Sequence, residues 1–194
     1  VDSGVRYVMG PYCSGVTIPA SRVYDNGGTM VSTVGTNPKI TQGGYKNLFR
    51  IVASDEKAGS NMAGYAANVL KVKKVGVIDD RTAFGQGLAD EFAKEAQKLG
   101  LTVVGREFTT DKATDFMAIL TNMKAKQPEV IFYGGYAPQA APMAGQAPAA
   151  VTPGLDAATA VAAEIVVGIA AATGTRLIAV ALDIRLPAWP KPGD

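Results

Sequence analysis

"VKKVGVIDDRTAFGQGLADEFAKEAQKLGLTVVGREFT", residues 72–109, decides the fold. It opens with an apolar strand that ends in two acids, Asp79 and Asp80. A helix over 85–99 follows, because Leu88, Phe92, Ala96 and Leu99 recur at helical spacing, and Gly100 stops it. "LTVVGREFT" is then a second strand. Downstream, "DFMAILTNMKAKQ" (115–127) is a helix with Phe116, Ile119, Leu120 and Met123 on one face. "EVIFYGGY" (129–136) is a strand, and "APQAAPMAG" begins another helix. Strands alternating with helices mean βαβ units and an α/β fold with a parallel sheet. The spacing predicts strands 73–79, 101–108 and 129–134 side by side and parallel.

Upstream the signals are shorter. "VRYVM" (5–9) and "TMVSTVG" (29–35) read as strands. Between them "SGVTIPASRVYD" (14–25) reads as a helix with Pro19 in its first turn, closed by "NGG". "TNPKITQGGYKN" (36–47) is a loop, "LFRIVASD" (48–55) an apolar run, and 56–70 a helix capped by Ser54 or Asp55. Ligands of parallel sheets bind beyond the carboxyl ends of the strands. Cys13 and Ser14, Gly35 and Thr36, 79–84 and 133–136 fall there.

Composition excludes several classes. Hydrophobic residues make up 47% and charged residues 19%, so disorder is not expected. A net charge of +2 points to no nucleic acid or membrane surface. With no His and one Cys, the chain has no metal-ligand cluster and no Ser-His or Cys-His nucleophile. It starts on Val1 with no leader, so it is expected to begin after processing or within a larger protein.

Four motifs have a bland reading and a chemical one. "FGQGLAD" (84–90) lacks the third Gly and the strand adjacency of a dinucleotide site, which favours a loop-to-helix turn that needs small residues. Asp79 and Asp80 could be general bases or metal ligands, but strand termination explains them better. "YGGY" (133–136) is a turn or a ligand wall. "CSG" (13–15) before a helix offers a hydroxyl and free N–H groups suited to a carboxylate, or simply a cap by Ser14.

"VRYVMGPYCSGVTIPASRVYDNGG", "GTNPKIT", "FRIVASDEKAG", "FGQGLAD" and "VIFYGGY" occur in an order and spacing that resemble the periplasmic leucine/isoleucine/valine-binding proteins, over residues 1–145. These are the substrate-binding components of branched-chain amino-acid ABC transporters. The resemblance implies the type I periplasmic-binding-protein fold: two doubly wound parallel-sheet lobes that close like a Venus flytrap. It would be incomplete here, without the N-terminal strands and most of the C-terminal part. Residues 1–50 would be partial lobe one, 51–55 the crossover, 56–145 partial lobe two, and 146–194 an Ala-rich tail. The implied function is binding of a branched-chain or other apolar amino acid for import, with no catalysis and no cofactor. The implied partner is a membrane permease and the location the bacterial periplasm, with a signal peptide in the precursor.

By the same resemblance, Ser14 would bind the ligand carboxylate through its hydroxyl and N–H, and Thr36 would hold the same end. Val34 and Gly35 would supply backbone groups, the Val34 carbonyl facing the ammonium. Phe84 and Tyr136 would form the opposing wall. The family's acid for the ammonium lies in a region this chain lacks. In leucine-binding members the Cys before the pocket Ser pairs with an earlier Cys, which here would precede Val1. Cys13 is then half of such a disulfide, or this is a member without the pair.

Two other readings stay open: a small α/β enzyme using Asp79 or Asp80, and a truncated or frameshifted non-functional product. In the tail, "DAATAVAAEIVVGIAAATG" is an apolar helix candidate, but Glu164 and the absence of a basic flank argue against a membrane span. The apolar content predicts a helix over 157–172 and a strand over 176–184 packed against the sheet.

Overall fold

The computed structural model describes residues 3–151, 166–169 and 176–180. The first part of the chain forms β1 (Tyr7–Met9), α1 (Ser14–Asn26), β2 (Met30–Thr33), α2 (Lys39–Gln42) and β3 (Leu48–Arg50). The strands make a parallel sheet in the order β1-β2-β3. Val31, Ile40 and Leu48 are buried beneath the helices, with Val8, Ile18, Tyr24 and Tyr45 packed around them. Tyr7, Met9, Met30, Phe49 and Ile51 are exposed, Met9 by 92%. Parallel sheets ordinarily carry helices on both faces. This sheet carries helices on one face only.

The rest is more complete. It runs through α3 (Asp55–Gly64), a π-helical turn (Tyr65–Val69), β4 (Lys74–Asp79), α4 (Ala83–Lys98), β5 (Thr102–Phe108), α5 (Met117–Ala125), β6 (Val130–Gly134), α6 (Ala137–Val151), β7 (Val166–Ile169) and β8 (Arg176–Val180). The second sheet has the order β5-β4-β6-β8-β7. β4 pairs in parallel with β5 and β6, as the helix spacing predicted.

Alternate side chains on β4 and β6 point to opposite faces. Val75, Val77, Val130 and Phe132 meet Met62 and Ala63 of α3 and Leu88, Phe92 and Ala96 of α4. Ile78, Ile131 and Tyr133 meet Leu120 and Met123 of α5 and Ala140 and Met143 of α6. Phe92 and Phe132 stack with ring centroids 4.0 Å apart. The sheet is thus covered on both sides, which explains why its central strands are apolar at almost every position.

Several expectations need correction. Pro19 lies in the second turn of α1, on its exposed side, where a missing N–H leaves the Gly15 carbonyl without its intrahelical donor. The 36–47 loop contains the single turn α2. Leu99 lies just past the end of α4 and is 42% exposed. Residues 166–169 are the strand β7, antiparallel to β8, so the helix over 157–172 is not continuous. The rest of that helix lies outside the described residues. Residues 176–180 of the expected 176–184 strand pair in parallel with β6 in the second sheet. Among the described residues no helix is long and apolar enough to cross a membrane.

Truncating the stacked ring should be costly. Phe132→Ala is expected to lower unfolding free energy by about 3–5 kcal/mol, and Leu99→Ala by under about 0.5 kcal/mol. Urea unfolding of both variants checks this; equal losses would mean that the stack is not a core contact.

Candidate functional site

The cleft lies where the two sheets present their carboxyl ends. Its first wall begins at α1, whose N-cap is Cys13, in extended conformation and with no side-chain cap bond. Ser14 is therefore the first helical residue and not the cap. Its Oγ accepts from the Asn37 N–H at 3.2 Å, which leaves the hydroxyl proton available as a donor. The Ser14 and Gly15 amides precede the first intrahelical bond, from Val16 N–H to the Cys13 carbonyl, and lie at the positive helix end.

The strand end beside it is held by hydroxyls. Thr33 Oγ1 donates to the Pro11 carbonyl at 2.7 Å and lies 3.2 Å from Thr17 Oγ1. Thr33 Oγ1 also accepts from the Gly35 N–H at 2.9 Å. That amide is thus committed to the strand end. A Cβ on Gly35 would lie 2.6 Å from Ile40 Cδ1, so a larger residue here would have to displace the end of the Ile40 side chain. Val34 and Thr36, on either side of it, line the cleft.

The opposite wall comes from the second sheet. Thr82 caps α4, its Oγ1 accepting from the Gly85 N–H at 2.9 Å, which sets Phe84 in the first turn. Tyr136 lies two residues past the end of β6. The two rings meet with centroids 5.1 Å apart at 42°. Tyr12, Ser14, Val34, Thr36, Phe84 and Tyr136 surround about 10 Å³ of free space, the room of a single water. Five of the six sequence-predicted residues are thus brought together; Gly35 lies behind the wall. Burial, the neighbouring Cys13 thiol and Asp80 raise the Tyr136 phenol. Cys13 itself is a half-buried free thiol.

The remaining motifs resolve as structure. A Cβ on Gly85 would collide with the Asp80 carboxylate and lie 2.5 Å from the Gly134 carbonyl, so "FGQG" is a close approach of helix to strand ends. Asp79 Oδ2 pairs with Arg106 at 3.1 Å, and its Oδ1 accepts from the Arg81 N–H. Asp80 Oδ1 accepts from the Thr82 N–H and hydroxyl, and burial raises its carboxyl. Both acids are buried and hold the β4–α4 turn. Tyr133 belongs to the core under the sheet, whereas Tyr136 lines the cleft, so the two aromatics of "YGGY" have different surroundings. Among the described residues no group of three or more His, Cys, Asp or Glu could hold a metal.

Two residues were missed in the sequence. Asn37 donates from Nδ2 to the Ala83 carbonyl at 2.6 Å, linking the first sheet's loop to α4. Its only signal was the "TNP" turn. Asp55, read as a helix cap, is 1% exposed, and its N–H donates to the Thr36 carbonyl at 2.9 Å. Burial raises its carboxyl to about 6, against the opposing effects of the Thr36 hydroxyl and Arg50.

A family profile described as periplasmic binding protein matches residues 1–182. The chain belongs to the periplasmic binding protein family. The match runs past residue 145, where the motif resemblance ended, and takes in β7 and β8. An amino acid binding protein of Pseudomonas aeruginosa is 43% identical over 72% of this chain and 37% of its own length. The Leu/Ile/Val-binding protein BraC3 of Rhizobium johnstonii is 36% identical over 75% of this chain and 40% of its own. The crystal structure of the leucine binding protein LivK from Thermotoga maritima superposes with a TM-score of 0.73 at 28% identity, over 78% of this chain and 43% of that one. The chain thus spans about two fifths of the relatives it matches, and its α/β architecture is part of the type I periplasmic-binding-protein fold.

Asp55 should leave a pH signature. Its folded-state value, about 6, lies above the ordinary 3.8, so the fold favours the neutral acid. Its contribution is complete below pH ~4 and is lost as pH rises toward ~6, by up to about 3 kcal/mol. Asp55→Asn should therefore gain stability relative to the parent chain as pH rises from ~4 to ~7, read by urea unfolding. A constant difference between the two would refute the burial argument.

Proposed function

We propose that this chain is the ligand-gripping part of an ABC-transporter substrate-binding protein for a branched-chain or other apolar amino acid. The convergence of a helix N-terminus and two hydroxyls on one side with the Phe84–Tyr136 ring pair on the other carries this reading. Ser14 Oγ and the first amides of α1 are donors suited to the ligand carboxylate. Thr36 joins them, and the Val34 carbonyl faces the ammonium. The rings offer an uncharged wall for an aliphatic side chain. We read residues 1–50 as lobe one, 51–55 as the crossover, 56–145 as lobe two and 146–194 as a tail whose strands extend lobe two.

The chemistry is binding, not turnover. Asp79 and Asp80, the acids an enzyme reading would use, are tied to Arg106 and to the β4–α4 turn. No cofactor enters this reading. The space in the cleft is too small for an amino acid, so binding requires the two walls to separate and close again on the ligand. The family and the names of the relatives support a periplasmic location and delivery to a membrane permease. Isoleucine sits in the crystal structure of the substrate-binding protein LivJ from Streptococcus pneumoniae, 27% identical with a TM-score of 0.66, which supports this ligand class.

Calorimetric titration with leucine, isoleucine, valine and phenylalanine tests the proposal. At least one should bind this chain, far more weakly than it binds a full-length relative. Ser14→Ala and Tyr136→Ala should each weaken binding roughly tenfold or more while the chain stays folded, because each removes a contact made directly to the ligand. Binding that is unchanged in both variants would sink the site assignment.

A further inference from the structure

The two sheets enclose a second space beside the cleft. It is a groove of about 240 Å³ between α2 and α4, bordered by Pro38 and Gln42 on one side and Gln86 and Glu91 on the other. Thr36 and Phe84 line the cleft, and their chain neighbours Asn37 and Ala83 line the groove. Between the two spaces Asn37 Nδ2 donates to the Ala83 carbonyl at 2.6 Å. Asn37 is buried, and each of its polar groups is engaged. Its N–H donates to Ser14 Oγ at 3.2 Å, and its carbonyl accepts from Arg50 at 3.3 Å. Its Oδ1 accepts from the Lys39 N–H at 3.0 Å, which turns Nδ2 toward α4. Facing Nδ2 is Gly87, inside α4, where an added Cβ would collide with it. Glycine weakens a helix relative to alanine, yet here it is the residue that leaves the Asn37 amide room.

We propose that Asn37 is a positioning residue that latches the two walls of the cleft together and, from the same place, holds the Ser14 hydroxyl ready for the ligand. The proposal rests on the reading that Ser14 grips the ligand carboxylate and that the walls close on it. The backbone of Asn37 occupies Ser14 Oγ as an acceptor, so the hydroxyl proton is left for the ligand. The side chain of Asn37 reaches the other wall. One residue thus sets the donor and secures the wall that faces it. The bond to Ala83 exists only while the walls are together, so it adds weight to the closed arrangement. A ligand that needs that arrangement gains from the latch, and by linkage its binding tightens the latch in turn.

Two measurements on the whole chain test this. The first needs no ligand. NMR follows the nuclear Overhauser contacts between the Val34 and Thr36 methyls and the Phe84 and Tyr136 rings, which line the cleft from its two sides. In Gly87→Ala, which displaces the Asn37 amide from a position outside the cleft, these contacts should weaken, while those between Phe92 and Phe132 in the core stay unchanged. Asn37→Ser gives the same reading from the other wall: its hydroxyl can still accept from the Lys39 N–H but is too short to reach Ala83. Cross-cleft contacts at full strength in both variants overturn the proposal. In the second measurement, calorimetry with leucine should show affinity lower by roughly three- to tenfold in each variant, the worth of one hydrogen bond. The double variant should bind no more weakly than Asn37→Ser alone, because the added methyl has no bond left to displace. Losses that add in the double variant overturn the shared latch. Leucine bound equally by the parent chain and both variants overturns the proposal and leaves the functional reading intact. Weakened cross-cleft contacts with no leucine binding to the parent chain would do the reverse: the latch would stand and the functional reading would fail.

Discussion

Strands β4 and β6 have no solvent-facing side. Every residue of β6 is buried, and so is all of β4 after Lys74. A strand in that state needs apolar cover on both faces, and here helices supply it: α3 and α4 on one side, α5 and α6 on the other. Helices reach both faces only if the strands they connect run the same way. Parallel strands place all their carboxyl ends at one edge, and there Asp79, Asp80 and the segment leading to Tyr136 gather. The position of the cleft is thus a consequence of how the core is covered.

The junction between the two sheets is built differently. The contacts described across it are polar: Asn37 to the Ala83 carbonyl, and Asp55 beside Thr36, Arg50 and Glu91. Polar interfaces between lobes are compatible with relative movement in a way that a large apolar interface is not. On the proposed function, a cleft that holds only one water's volume needs such movement to admit an amino acid. The first sheet gives the cleft its donors yet carries helices on one face alone. Its other face leaves Tyr7, Met9, Met30, Phe49 and Ile51 exposed.

Local rules account well for the second sheet. The Leu88–Phe92–Ala96 and Phe116–Leu120–Met123 spacings placed α4 and α5, and β-branched runs placed β4, β5 and β6, because amphipathic periodicity is written in neighbouring residues. The first sheet was less legible. Its strands are short, and the turn-rich 36–47 stretch conceals α2. The tail misled for the same reason: an Ala-rich run has helical propensity, but residues 166–169 pair with β8, and pairing partners lie far away in sequence.

The sequence by itself determined the α/β class, the parallel β5-β4-β6 core and most of the cleft wall, Ser14, Thr36, Phe84 and Tyr136 among it, because motif order and periodicity are properties of the chain read in one dimension. Only the tertiary structure decided that Cys13 and not Ser14 caps α1, that the Gly35 amide is tied to Thr33, that Asp79 and Asp80 hold a turn, and that Asn37 and Asp55 join the two sheets. Each of these depends on a partner distant in sequence or on burial, and burial sets which hydroxyl, amide or carboxylate is left free to meet a ligand.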